Sequence, residues 1–259
     1  MSLEASTGAR PPHHPPPRPP RPPLLASGHP DLTRPSLPPF GRSLGLPTEI
    51  GFHDIFGFEP DLLAMVPQPV HAILLLFPIT EASEKARLEH AATRTNDAAS
   101  VSPRVWFTRQ TIGNACGTIG VLHAVANTLN EYSVADDSWF ARFFAATRAM
   151  TPTERAAHLE ADDSLEAAHA GAASSVASST AVPTPEQEVD LHFVALVHVD
   201  GGLYELDGRK DAPVRHGDTA PESFLVDAGA VVKKFVEQGG DSLSFNAIAM
   251  GANGGDAMF

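Results

Sequence analysis

The chain has 259 residues, a net charge of −13 and 42% hydrophobic side chains, a composition that fits a globular protein and repels nucleic acid. Its single cysteine excludes an internal disulfide framework and a cysteine-based zinc site, and suits a reducing compartment such as the cytoplasm. No apolar run is long enough to span a bilayer, and no apolar signal stretch follows Met1, so no membrane association is expected.

Residues 1–39 carry runs such as Pro-Pro-His-His-Pro-Pro-Pro-Arg-Pro-Pro with few apolar side chains. Such a segment cannot bury enough surface to offset its ordering entropy, so it reads as a disordered tail with local polyproline II character. From Phe40 onward about 220 residues remain, enough for one domain with a single core.

Leu44-Gly-Leu-Pro47 reads as the end of a short helix. His71-Ala-Ile-Leu-Leu-Leu-Phe-Pro78 is an unbroken apolar run closed by proline, which predicts a strand buried on both faces. Residues 80–100 are polar and alanine-rich and form a helix or a loop. Val105-Trp-Phe107 predicts a short strand. Asn114-Ala-Cys116 precedes a helix, because Ile119, Leu122, His123, Val125 and Ala126 recur at helical spacing. Two further helices are expected over 138–149 and 152–169, the second opened by Thr151-Pro152. Residues 170–187, rich in Ala, Ser and Thr, form a loop long enough to suggest a function.

His192-Phe-Val-Ala-Leu-Val-His-Val199 meets Gly202-Leu-Tyr-Glu-Leu-Asp207 across Asp200-Gly201, a β-hairpin with a favoured two-residue turn. A helix over Asp227–Gln238 and a strand over Leu243–Met250 close the domain. Strands and helices mix around an antiparallel hairpin, so the class is α+β.

A lone cysteine is most often a small buried hydrophobe. Two features set Cys116 apart. Gly113 and Gly117 leave room for a substrate backbone. Its place at a helix start offers backbone N–H groups that favour thiolate and can hold an oxyanion. A thiolate needs a base, and geometry removes most of the twelve histidines. His13, His14 and His29 lie in the tail. His123 is seven residues along the same helix, roughly 10 Å from Cys116, and reads as a packed or surface residue. His158 and His169 lie in polar sequence, and His198 sits near the hairpin turn.

His192 has a partner. With a two-residue turn, residue 192 opposes 209 and 194 opposes 207, so Asp207 is a diagonal neighbour of His192 on one face, within reach at roughly 7–8 Å between backbones. A three-residue loop would turn Asp207 to the other face. Such a pair serves equally well as a structural hydrogen bond. Gln110, six residues before Cys116, carries an amide able to donate to an oxyanion, although a glutamine there is commonly just a polar loop residue.

Together these segments resemble the ubiquitin C-terminal hydrolases. Gln110-Thr-Ile-Gly-Asn-Ala-Cys116-Gly-Thr-Ile-Gly is similar to the family's nucleophile segment. His192-Phe-Val-Ala-Leu-Val-His-Val-Asp-Gly and Leu203-Tyr-Glu-Leu-Asp207-Gly-Arg-Lys are similar to its histidine and aspartate segments. The resemblance runs from about Phe40 to Met250 and is to the short, single-domain type. It implies a papain-like α+β fold with a central antiparallel sheet, flanking helices and a knotted backbone, and makes residues 40–259 one catalytic domain.

It also implies roles: Cys116 as nucleophile, His192 as general base and then acid, Asp207 as the residue orienting His192, and Gln110 as oxyanion donor. Asp54 matches an acidic ubiquitin contact. No cofactor or metal is implied. The loop at 170–187 would cross over the active site and admit small C-terminal adducts of ubiquitin or a ubiquitin-like protein, acted on by a monomer. The tail replaces the opening strand and helix of relatives, which leaves an alternative: a ubiquitin-binding protein with little turnover. A general papain-like peptidase would need an open cleft, against which the crossing loop speaks.

Overall fold

The computed structural model describes residues 37–93, 101–113, 115–165, 191–238 and 244–253. Six strands make one sheet: β1 (Ile50–Asp54), β2 (Val70–Pro78), β3 (Leu191–Val199), β4 (Gly202–Leu206), β5 (Val214–Asp218) and β6 (Asn246–Ala252). Their order is β1-β6-β2-β3-β4-β5, and every adjacent pair is antiparallel. The helices described over their full extent are α1 (Leu37–Leu44), α2 (Pro60–Leu63), α3 (Glu81–Thr93), α4 (Cys116–Ala126), α5 (Trp139–Thr147), α6 (Pro152–Glu160) and α7 (Phe224–Gln238). The fold is α+β, as expected.

The apolar run of β2 has partners on both faces. Ala72 and Leu74 join a core with α1, α4 and α5, while Ile73, Leu75 and Phe77 join a second core with α7. Alternation along β3 divides Phe193, Ala195 and Val197 from Val194 and Leu196 in the same way. The central strands therefore need no polar face, and α4 lies buried against one side of them.

Local chemistry sets several boundaries. α1 begins at Leu37, whose side chain is buried, and ends at Leu44, just before Gly45. Gly45 adopts φ +108°, while Leu46 N donates to Gly41 O at 2.8 Å and Gly45 N to Arg42 O at 3.0 Å. Such a left-handed stop costs glycine least. Thr151 and Glu154 close a reciprocal capping box on α6. At the hairpin, Val199 pairs with Gly202, and both Asp200 (φ 50°) and Gly201 (φ 76°) are left-handed. That is the backbone a two-residue turn between right-twisted strands requires.

Other expectations are corrected. Val105-Trp-Phe107 is irregular and pairs with no strand. Side chains satisfy its backbone instead: Asn127 accepts from Trp106 N and donates to Trp106 O, both at 2.8 Å, and Arg155 donates to Phe107 O at 2.8 Å. The helix expected over 152–169 stops at Glu160, where Ala161 takes the C-cap. α7 starts three residues earlier than expected, at Phe224. β1, α2 and β5 were not anticipated; β5 (Val-Arg-His-Gly-Asp) is an exposed edge strand with a single buried residue, Val214, and gives no apolar alternation. Most of the proline-rich tail and the whole 170–187 loop lie outside the described residues. No described helix is long and apolar enough to cross a membrane.

Candidate active site

Cys116 is the first residue of α4 and is 4% exposed. Ala115 occupies the N-cap without a side-chain hydrogen bond, so no cap side chain occupies the N–H groups of the first turn. Those groups and the helix dipole favour negative charge on sulfur. The Cys116 Sγ lies 4.0 Å from the carbonyl oxygen of Leu191, the residue preceding His192. The start of β3 thus runs past the thiol.

His192 sits at that start, paired with Phe77 of β2, whose ring meets the imidazole edge-on at 5.7 Å. Its Nε2 and Asp207 Oδ1 are 2.7 Å apart, with His192 2% and Asp207 3% exposed. Taking Nε2 for Asp207 leaves Nδ1 as the nitrogen for proton exchange. Asp207 follows β4 directly, and its Oδ1 also accepts from Arg209 N at 2.9 Å. Burial alone would raise the Asp207 carboxyl. The hydrogen bond and charge of His192, with help from the Arg209 N–H, outweigh it and hold the group below its ordinary value.

Gln110 is tied to the same corner. Its backbone N–H donates to Gly208 O at 2.8 Å. Its side-chain Nε2 donates to Ile112 O at 3.2 Å, and its Oε1 is buried with no partner among the described residues. An amide nitrogen carries two hydrogens, so one stays available to an oxyanion. Gly208 fits because it has no side chain: a Cβ there would lie 2.9 Å from both Gln110 Cβ and Ile119 Cγ2.

The structure therefore gathers Cys116, His192, Asp207 and Gln110 around the junction of α4, β3 and the end of β4. It does not bring Asp54 there. Asp54 ends β1, opposite Ile248, on the far edge of the sheet from β4 and β5.

Two buried groups stand behind this corner: His123, expected as a packed or surface residue, and Glu205, not singled out from the sequence. His123 is fully buried. Its Nε2 accepts from Thr108 N at 3.1 Å and its Nδ1 donates to Leu206 O at 3.2 Å. It thus joins the segment leading to Gln110 with the residue before Asp207. Burial pushes its pKa down to about 4 against the pull of the Thr108 and Leu206 hydrogen bonds. The signal available was its spacing: seven residues from Cys116 is close to two helical turns, hence the same helix face.

Glu205 is the second group. Buried on β4, it takes an ion pair from Lys210 and a 2.8 Å contact from His216 Nε2. Burial alone would raise it, but Lys210 and His216 together bring it down to about 2. Lys210 and His216 line, together with Glu205, Asp207 and Phe77, a cavity of about 120 Å³. Among the described residues no cluster of three or more His, Cys, Asp or Glu is placed to hold a metal ion.

The sequence and the fold both match known proteins. A family model described as ubiquitin carboxyl-terminal hydrolase, family 1, matches residues 37–237. The chain is 45% identical over 208 residues to ubiquitin carboxyl-terminal hydrolase 3 of Arabidopsis thaliana, covering 80% of this chain and 86% of that protein. It is 38% identical over 207 residues to the human isozyme L1, covering 80% and 90%. The Trichinella spiralis UCH37 catalytic domain, solved bound to ubiquitin vinyl methyl ester, superposes with a TM-score of 0.66 at 19% identity over 89% of this chain and 98% of that one, a likeness of fold. On the family match and these relatives, the chain belongs to the ubiquitin carboxyl-terminal hydrolases, family 1, which are cysteine-type hydrolases.

Proposed function

We propose that the protein cleaves small adducts and peptide extensions from the C-terminal glycine of ubiquitin, with Cys116 as nucleophile. The observation that carries this reading is the buried 2.7 Å His192–Asp207 pair on the strand that runs past the thiol. The names of the 45% and 38% identical relatives support ubiquitin as the substrate. The acidity of the chain, at −13, suits a basic substrate tail.

His192 Nδ1 takes the proton of Cys116 Sγ, and the thiolate attacks the glycine carbonyl carbon. Negative charge moves to the carbonyl oxygen, which the Cys116 N–H at the start of α4 and the second hydrogen of Gln110 Nε2 would hold. Asp207 stabilises the imidazolium, which then protonates the leaving amine as the C–N bond breaks. Water, deprotonated by His192, attacks the thioester and frees ubiquitin and the thiol. Asp54 is read as a rim contact to ubiquitin, affecting encounter more than chemistry. The loop at 170–187 limits access to small leaving groups, and the enzyme acts as a cytoplasmic monomer.

The test is incubation of the full chain with ubiquitin carrying a thiol-reactive C-terminal warhead, read by mass. One adduct, lost in Cys116→Ala, is expected. No adduct from a folded sample would overturn turnover in favour of binding alone.

A further inference from the structure

At the end of α4 away from Cys116, about 15 Å along the helix axis, lies a second cavity of about 650 Å³. Its size falls within the range of small-molecule sites. One part of its wall is apolar and partly aromatic: Val105, Trp106, Leu129, Phe144 and Val199. The charged residues lining it are all arginines, namely Arg104, Arg148 and Arg155. No carboxylate lines it, in a chain of net charge −13. Chance would place acids there more readily than bases.

The arginines are differently held. Arg155 is buried and fixed by the carbonyls of Phe107, Thr147 and Arg148, with its guanidinium 5.0 Å from the centre of the Trp106 ring. Its hydrogen bonds are satisfied by neutral carbonyls, so its charge is not cancelled. Arg104 pairs with Asp200 at 2.8 Å, on the exposed rim. Arg148 is exposed and forms no ion pair among the described residues. Its position at the C-cap of α5 adds the negative end of a helix dipole but no full charge.

The Trp106 Nε1–H is buried and has no hydrogen-bond partner among the described residues, although the Trp106 ring forms part of the cavity wall.

We infer that this cavity is a binding site for a small organic anion with a flat apolar body, of the aryl carboxylate class. The body lies against Trp106 and Phe144, and the carboxylate meets Arg148 and Arg155. A bare inorganic anion would leave the apolar wall wet, and a neutral arene would leave the guanidinium charge unanswered. The site is separate from the catalytic corner, so occupancy does not consume Cys116, His192 or Asp207.

The test uses the full chain and 2-naphthoate as probe, with 2-naphthalenemethanol as its neutral counterpart, followed by calorimetry and by the indole N–H resonances of the two tryptophans. Saturable binding of 2-naphthoate is expected, with the alcohol at least about tenfold weaker. The Trp106 indole resonance should shift and that of Trp139 should not. Arg148→Glu, at an exposed position, should weaken 2-naphthoate by about tenfold or more, and Ala145→Trp should block the cavity. The inference is overturned if 2-naphthoate shows no saturable binding, if the alcohol binds equally well, or if Arg148→Glu and Ala145→Trp both leave the affinity unchanged.

Discussion

His192 and Asp207 meet at 2.7 Å although the hairpin does not set them opposite one another. The ladder pairs Ala195 with Leu206, so the residue across from Asp207 would be Val194, and His192 reaches Asp207 on the diagonal. The contact depends on the chain leaving the ladder at Asp207 and turning so that Arg209 N can bond the same Oδ1. Asp207→Asn keeps the shape but removes the charge that stabilises the imidazolium. A charge-assisted hydrogen bond is worth about 1.5–3 kcal/mol, which predicts a fall of about 10–100-fold in kcat for a ubiquitin C-terminal amide. The urea midpoint should move little. Unchanged kcat would remove Asp207 from the mechanism.

Gly208 links the aspartate to the oxyanion residue. A methyl group there would press on Gln110 Cβ and Ile119 Cγ2 at 2.9 Å and on Gln110 N at 3.1 Å. Those atoms are a backbone nitrogen and side-chain positions near the backbone, so none can swing away cheaply. Gly208→Ala should destabilise by about 1–3 kcal/mol, as overpacking does. It should also lower kcat more than it raises KM, because Gln110 is displaced from the developing oxyanion rather than from bound substrate. Steady-state kinetics beside a denaturation curve separate the two effects.

How far the sequence could be read follows from where each interaction is encoded. The hairpin was legible because its turn, its alternation and both functional residues lie within sixteen consecutive residues, His192 to Asp207. The strand over β2 was legible because a two-sided core demands an unbroken apolar run. Val105-Trp-Phe107 misled because its composition is that of a strand, while its hydrogen-bond partners are the side chains of Asn127 and Arg155, far along the chain. The brace role of His123 was hidden for the same reason, since Thr108 and Leu206 reach it only after folding.

Asn127 makes this concrete. Its side chain bonds Trp106 N, Trp106 O and His123 O, each at 2.8 Å, all in buried surroundings. Asn127→Leu keeps an apolar volume but strands the Trp106 N–H and C=O away from water. Each buried orphan costs about 1–3 kcal/mol, so a loss of about 2–5 kcal/mol is expected in urea unfolding. If Asn127→Leu unfolds at the wild-type midpoint, side-chain replacement of a ladder is the wrong account of this segment.

His123 makes stability depend on pH in a direction that can be worked out. Its ordinary pKa is 6.5, and burial brings it to about 4 in the folded protein. Between these values the unfolded chain binds a proton that the folded chain refuses. Stability is therefore fully present above 6.5 and declines as pH falls toward 4. At about 1.4 kcal/mol per pKa unit the contribution lost is on the order of 3 kcal/mol. Protonation also removes the acceptor for Thr108 N and so loosens the link between the Gln110 segment and Leu206. Glu205 adds a further loss only below its ordinary 4.5, as pH falls toward about 2, because its folded carboxyl is depressed. His123→Gln, which cannot titrate but keeps polar atoms near both partners, should flatten the decline between pH 6.5 and 4.5 while lowering stability at pH 8. Urea titrations of both proteins across that range decide it: parallel slopes would mean that His123 is not the group that titrates.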